Sequence, residues 1–170
     1  MKRFILLLLL FLSLSSCSSH KKIESFDFKL RWSIHGNFMY DAKEEKAYKE
    51  YLSSEKENYS GIISFSDDIK KDIINRLNDI NIYSYPDNLD PYKSLTRNKI
   101  IQTPGNKIIL DLNDKVIETS DDLPDISNID FRKKCTQKAI RFFDCIEYIT
   151  KYITNTDKWK EIPEDGIYFL

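Results

Sequence analysis

FDFKLRWSIH, residues Phe26 to His35, alternates without a slip: Phe26, Phe28, Leu30, Trp32 and Ile34 fall on one side, and Asp27, Lys29, Arg31, Ser33 and His35 on the other. Successive side chains of a strand point to opposite faces, so a period of two sustained this long predicts a strand with one apolar face and one wet face. Parallel sheets carry crossover helices on both sides and are buried on both, so a half-wet strand belongs to an antiparallel sheet. The rest of the fold follows from finding its partners.

His35-Gly36-Asn37 offers a turn, after which Phe38-Met39-Tyr40 returns as the second strand of a hairpin. Asp41 to Asn58 is rich in Lys and Glu, with Glu45 four residues before Lys49, and reads as a short, weakly held helix or a mobile excursion. Tyr59 to Phe65 reads as a third strand, with Gly61 a candidate bulge. Ser66 before Asp67-Asp68 is a helix start, because a serine oxygen caps and acidic residues suit the positive end of the helix dipole. Ile69, Ile73, Leu77 and Ile80 then follow at helical spacing, which predicts a helix from about Asp67 to Asn78.

Lys107 to Leu112 and Lys115 to Thr119 read as a second hairpin around Asn113-Asp114, with Ile108, Leu110 and Leu112 inward. From Ile129 to Thr154 the spacing of Cys135, Ala139, Phe142, Ile146, Ile149 and Ile153 predicts one long helix lying against the sheet. The terminal Ile167-Tyr168-Phe169-Leu170, after Ile162-Pro163, is apolar enough to be expected packed down as an edge strand. The expected class is α+β, an antiparallel sheet of four to six strands with two main helices packed on one face, in a single globular domain over 25–170.

The start of the chain is different in kind. Met1-Lys2-Arg3 is positive, Phe4 to Leu14 is apolar apart from Ser13, and Ser15-Ser16-Cys17 follows. This is the layout of a secretory signal peptide, and the apolar run falls well short of the roughly 20 residues needed to span a bilayer. Leu14-Ser15-Ser16-Cys17 resembles the lipobox of bacterial lipoproteins. That resemblance implies removal of residues 1–16, acylation of Cys17 on sulfur and usually on its new amino group, and membrane attachment through those chains. Two or three chains hold firmly, at about 0.8 kcal/mol for each buried methylene. Ser18, rather than an aspartate, after the cysteine implies the outer membrane where the cell has two. Residues 17–24 would then be the lipidated cysteine and a polar tether reaching no more than about 25 Å.

Composition and motifs exclude several chemistries. The 26 basic and 27 acidic residues nearly cancel and are interleaved, so no basic face for nucleic acid is expected. His20 lies on the tether and His35 beside a turn, which leaves no evident histidine pair for catalysis or metal. Neither G-x-S-x-G nor H-E-x-x-H occurs, and the S-x-x-K matches at Ser18, Ser19 and Ser53 lack the companion motifs of penicillin-binding enzymes. The carboxylate pairs Glu44-Glu45, Asp67-Asp68 and Asp121-Asp122 each have a structural explanation. Asp111 to Lys115 has a lysine where a calcium loop needs an oxygen ligand, and a hairpin turn explains it better. Four glycines without a cluster provide no phosphate cradle, so no cofactor is expected.

Cys135 and Cys145 on one helix would sit about 15 Å apart. A disulfide requires roughly 4.4–6.8 Å, so two separate thiols are expected, unless the helix begins after Cys135. What remains is a lipid-anchored envelope protein without catalysis, a binding or scaffold module with a protein partner. The competing reading is an inhibitor or immunity lipoprotein that neutralises a toxin or lytic enzyme at the membrane. Within the Pro-, Asn- and Asp-rich stretch after the first helix, Tyr83, Tyr85 and Tyr92 either form a binding loop or tuck that loop against the core.

Overall fold

The alternating stretch forms β1 (Lys29–Trp32), an interior strand of a six-stranded sheet. The computed structural model describes residues 21–50, 58–93 and 105–161. The other strands are β2 (Phe38–Asp41), β3 (Lys46–Lys49), β4 (Tyr59–Ile62), β5 (Ile109–Asp111) and β6 (Val116–Glu118). Their order is β4-β3-β2-β1-β5-β6, and every neighbouring pair is antiparallel. Helices α1 (Asp67–Asp79), α2 (Ile129–Lys134), α3 (Gln137–Thr154) and α4 (Asp157–Lys160) complete the α+β fold, with a 3-10 turn at Ile82–Ser84 after α1.

The register lines up one continuous row across the sheet: Gly61 opposite Ala47, Ala47 opposite Tyr40, Tyr40 opposite Leu30, Leu30 opposite Leu110, and Leu110 opposite Ile117. From Ala47 to Ile117 this row is buried, and with Phe28 it forms one core with Ile73 and Leu77 of α1 and Phe142, Phe143, Ile146 and Ile149 of α3. The Tyr40 hydroxyl, the one polar atom of that row's side chains, donates to the Ile63 carbonyl at 2.9 Å. Helix α1 starts where the sequence indicates, with the Ser66 hydroxyl accepting from the Ile69 N–H and Asp67 and Asp68 in the first turn.

Three expectations need correction. The segment after Asp41 contains no helix among its described residues; it holds β3, hydrogen-bonded between β2 and β4. Its alternation is short, but Ala47 is small enough to lie buried between Tyr40 and Gly61, and two waiting neighbours satisfy the backbone on both sides. The long helix expected over 129–154 is two helices, because the chain is extended at Cys135 and Thr136. There the Thr136 N–H donates to the Pro91 carbonyl at 2.8 Å and the Thr136 hydroxyl caps α3 by accepting from Ala139 N–H at 3.1 Å. The loop around Pro91 thus takes the hydrogen bonds that helix continuation would have used. Gly61 is no bulge, since the β3–β4 register runs through it unbroken; a side chain there would meet the Tyr59 ring.

Strand ends also retreat: Phe26 and His35 flank β1 rather than belong to it, and β4 ends before Phe65. Cys135 and Cys145 are both free thiols and both buried, although the helix does begin after Cys135. The expected terminal edge strand at Ile167–Leu170, with Ile162-Pro163, lies outside the described residues, as do Cys17, His20 and the S-x-x-K matches at Ser18, Ser19 and Ser53.

Candidate functional site

Helix α1 ends on Ile80, and Asn81 takes a left-handed conformation, φ +52°, that swings the chain into the 3-10 turn. A short polar side chain tolerates that backbone. The turn buries Ile82 and leaves Tyr83 half-exposed beside the tip of the β5–β6 hairpin. That tip is built by Asn113, φ +68°, whose N–H donates to the Asp111 carboxylate at 2.9 Å. Its amide also reaches the Asp27 carbonyl at 3.4 Å.

The Tyr83 hydroxyl donates to Asp114 at 3.3 Å. The Lys21 ammonium lies 4.6 Å from the Tyr83 ring centre and pairs with the Asp114 carboxylate. Between the N-terminal segment, the 3-10 turn and the hairpin tip opens a groove of about 610 Å³, lined by Lys21, Lys22, Glu24, Tyr83 and Asn113 among others. It mixes both signs of charge with one phenol.

Ile23, which is 7% exposed, also lines this groove. Its N–H donates to the Asn78 side-chain oxygen at 2.8 Å, and its carbonyl accepts from the Asn78 amide at 3.0 Å. One asparagine near the end of α1 therefore satisfies both backbone groups of one residue, as a neighbouring strand would. The pairing spans 55 positions and leaves no mark in local sequence.

A second groove of about 320 Å³ lies at the other end of β6, lined by Asn88, Leu89, Asp90, Lys107, Glu118 and Asp121 among others. The loop through Asp87 to Leu89 runs along the outer edge of β6: Leu89 N–H donates to the Glu118 carbonyl and Glu118 N–H to the Asp87 carbonyl, each at 2.8 Å. The Lys107 ammonium is held by Asp121 at 2.8 Å and Glu118 at 3.7 Å. The Asp121 hydrogen bond is the largest influence keeping that ammonium above its ordinary pKa, against a smaller opposing effect of burial.

The three tyrosines separate. Tyr83 lines the first groove. Tyr85 is 2% exposed, donates to the Lys138 carbonyl at 3.0 Å and packs 5.7 Å from the Phe142 ring; burial pushes its phenol up to about 12. Tyr92 is half-buried, bridged to Cys135 and set edge-on to Phe131 at 5.9 Å. Tyr85 and Tyr92 tie the loop to α2 and α3.

One polar cluster escaped notice in the sequence. Asp72 and Arg76 on α1 meet Tyr148 and Tyr152 on α3, with the Tyr148 hydroxyl donating to Asp72, the Arg76 guanidinium 3.6 Å from the Tyr148 ring centre, and the two phenol oxygens 3.1 Å apart. Both pairs sit at i, i+4, which is the signal that was available. They clasp the two main helices together. The carboxylate pairs are likewise engaged structurally: Glu44 accepts from Tyr48, Glu45 pairs with Lys70, Asp67-Asp68 open α1, and Asp121 holds Lys107.

Among the described residues no three His, Cys, Asp or Glu side chains converge as a metal site, and no helix is long and apolar enough to cross a membrane. Comparison with known protein families, with curated proteins and with solved structures finds no match.

Proposed function

We propose that this chain is a bacterial lipoprotein, a non-catalytic binding or scaffold module held at the cell envelope by acyl chains on Cys17, and at the outer membrane where there are two. The observation that carries this reading is Leu14-Ser15-Ser16-Cys17 closing an apolar run that begins behind Lys2-Arg3. The body of the molecule is consistent with it. Its grooves are polar and open, Lys21 and Lys107 in them are engaged by carboxylates, and the two described thiols are buried, which favours contact with a partner over bond-making.

Mass spectrometry of protein taken from its native membrane tests the anchor. The expected N-terminal peptide begins at Cys17 and carries acyl mass; a peptide retaining Met1, or one beginning at an unmodified serine, removes the reading. Cys17→Ser should move the protein out of the membrane fraction. Crosslinking in intact envelopes tests the binding role, which predicts a discrete adduct with another envelope protein and fails if only monomer is recovered.

A further inference from the structure

The two edges of the sheet differ in what their outward backbone groups meet. We infer that the edge of β4 pairs with β4 of a second copy of this chain, joining two sheets into one, between copies confined to the same membrane. For that confinement it rests on the lipid-anchor reading.

The hydrogen-bond phase sets which groups face outward. The Ile63 N–H donates to the Glu45 carbonyl at 2.8 Å, and the register of Lys46 opposite Ile62 puts Glu45 opposite Ile63. Opposed residues of an antiparallel pair alternate between those that exchange hydrogen bonds and those that do not. Tyr59, Gly61 and Ile63 therefore bond inward to β3, and Ser60 and Ile62 turn their N–H and C=O groups out of the edge. On β6 the Thr119 N–H on the Ile108 carbonyl fixes the same alternation and turns Glu118 outward, where Asp87 and Leu89 take both its groups. No described residue does this for Ser60 or Ile62.

Strand β4 also lacks the devices that keep sheet edges apart. Tyr59-Ser60-Gly61-Ile62 carries no charge and no proline, its register runs without a bulge, and Ile62 is 68% exposed. What fits this edge is an uncharged extended segment offering donors and acceptors at alternate residues, and β4 is itself such a segment. Set antiparallel about a two-fold axis at Gly61, Ser60 of each copy faces Ile62 of the other, and every outward group of both strands is used. The neutral strands bring no like charges opposite one another, and the two Ile62 side chains come diagonally together. Gly61 opposes its own copy where the chains approach to about 4.5 Å, and it has no side chain to obstruct them. Such short edges cover far less than the roughly 1,200 Å² of a stable interface. The pairing is therefore weak in free solution and depends on the local concentration that tethering supplies.

The test uses the full lipidated protein in vesicles of phosphatidylethanolamine and phosphatidylglycerol, as Ser60→Cys alone, Ile62→Cys alone, or the two mixed, under a mild oxidant. Facing hydrogen-bonded residues lie about 5.5 Å apart at Cα, within disulfide range, whereas like positions are diagonal and beyond it. Cys135 and Cys145, at 0% and 4% exposure, stay out of the reaction. Positions 60 and 62 are exposed, so both variants should keep the fold, which near-ultraviolet circular dichroism checks. A covalent dimer is expected from the mixture, and none from either variant alone or from Ser60→Cys mixed with Val116→Cys, exposed on the opposite edge. No dimer from the mixture, or equal dimer in every combination, overturns the pairing. A dimer from Ile62→Cys alone overturns the axis at Gly61. Flotation reports the anchor separately: protein that floats without the mixed dimer loses only this pairing, and protein that does not float loses the anchor and the confinement the pairing needs.

Discussion

Asn78 hydrogen-bonds both backbone groups of Ile23, accepting from its N–H at 2.8 Å and donating to its carbonyl at 3.0 Å, and so joins the N-terminal segment to the end of α1. Each hydrogen bond contributes about 0.5–1.5 kcal/mol net. Asn78→Ala is expected to lower stability by about 1–2 kcal/mol in urea titrations and to speed tryptic cleavage after Lys21 and Lys22, while Asn78→Asp, which keeps the acceptor, falls between. Unchanged cleavage in Asn78→Ala would mean that the burial of Ile23 alone holds the segment.

Acid should weaken the fold through Asp41. Burial by itself would raise its pKa, but the Glu44 N–H at 3.0 Å and the Lys29 ammonium at 3.1 Å outweigh that and hold the carboxyl below its ordinary value. A depressed folded pKa means that the unfolded chain binds the proton first. The contribution is therefore complete above the unfolded value, about 3.9, and disappears as pH falls through the lower folded one. Stability measured from pH 6 down to pH 2 should decline, and Asp41→Asn should flatten part of that decline. Asp72 and Glu45, whose pKa values are also lowered, account for a remaining slope.

Neither described thiol should react in the native protein. Burial pushes Cys145 up to about 12, and burial also raises Cys135. At pH 8 a thiol of pKa 12 is ionised to about one part in ten thousand, and the thiolate is the nucleophile. A disulfide-exchange reagent should therefore modify both only at the rate of opening, and promptly in urea. A fast stoichiometric reaction with the folded protein would contradict the packing around α3.

Trp32 and Trp159, the two tryptophans of the chain, stack with ring centres 5.3 Å apart and planes at 27°, with Phe38 edge-on to Trp159 at 5.0 Å. Such close indoles should couple as an exciton pair in circular dichroism. Trp159→Ala is expected to abolish the couplet, shift Trp32 emission to the red and cost about 1–2 kcal/mol, since the ring is half-buried. A couplet that survives the substitution would place the signal elsewhere.

What could be read from the chain alone was whatever is encoded by local period or local capping. The alternation at Phe26 to His35 identified the half-wet antiparallel sheet, because burying one face imposes a period of two on the residues themselves. Ser66 and the Ile69, Ile73, Leu77 spacing likewise identified α1. Of the candidate binding tyrosines, Tyr83 lines the first groove while Tyr85 and Tyr92 pack against the helices, and nothing in local sequence separates them. Strand β3 was illegible because Lys46–Lys49 shows a single buried apolar residue, Ala47, within a Lys- and Glu-rich segment that favours i, i+4 pairing. Its state was decided by β2 and β4, which offer hydrogen bonds on both sides. The break at Cys135-Thr136 and the clasp of Asn78 on Ile23 were decided in the same way, by groups distant in sequence that compete for the same backbone donors and acceptors.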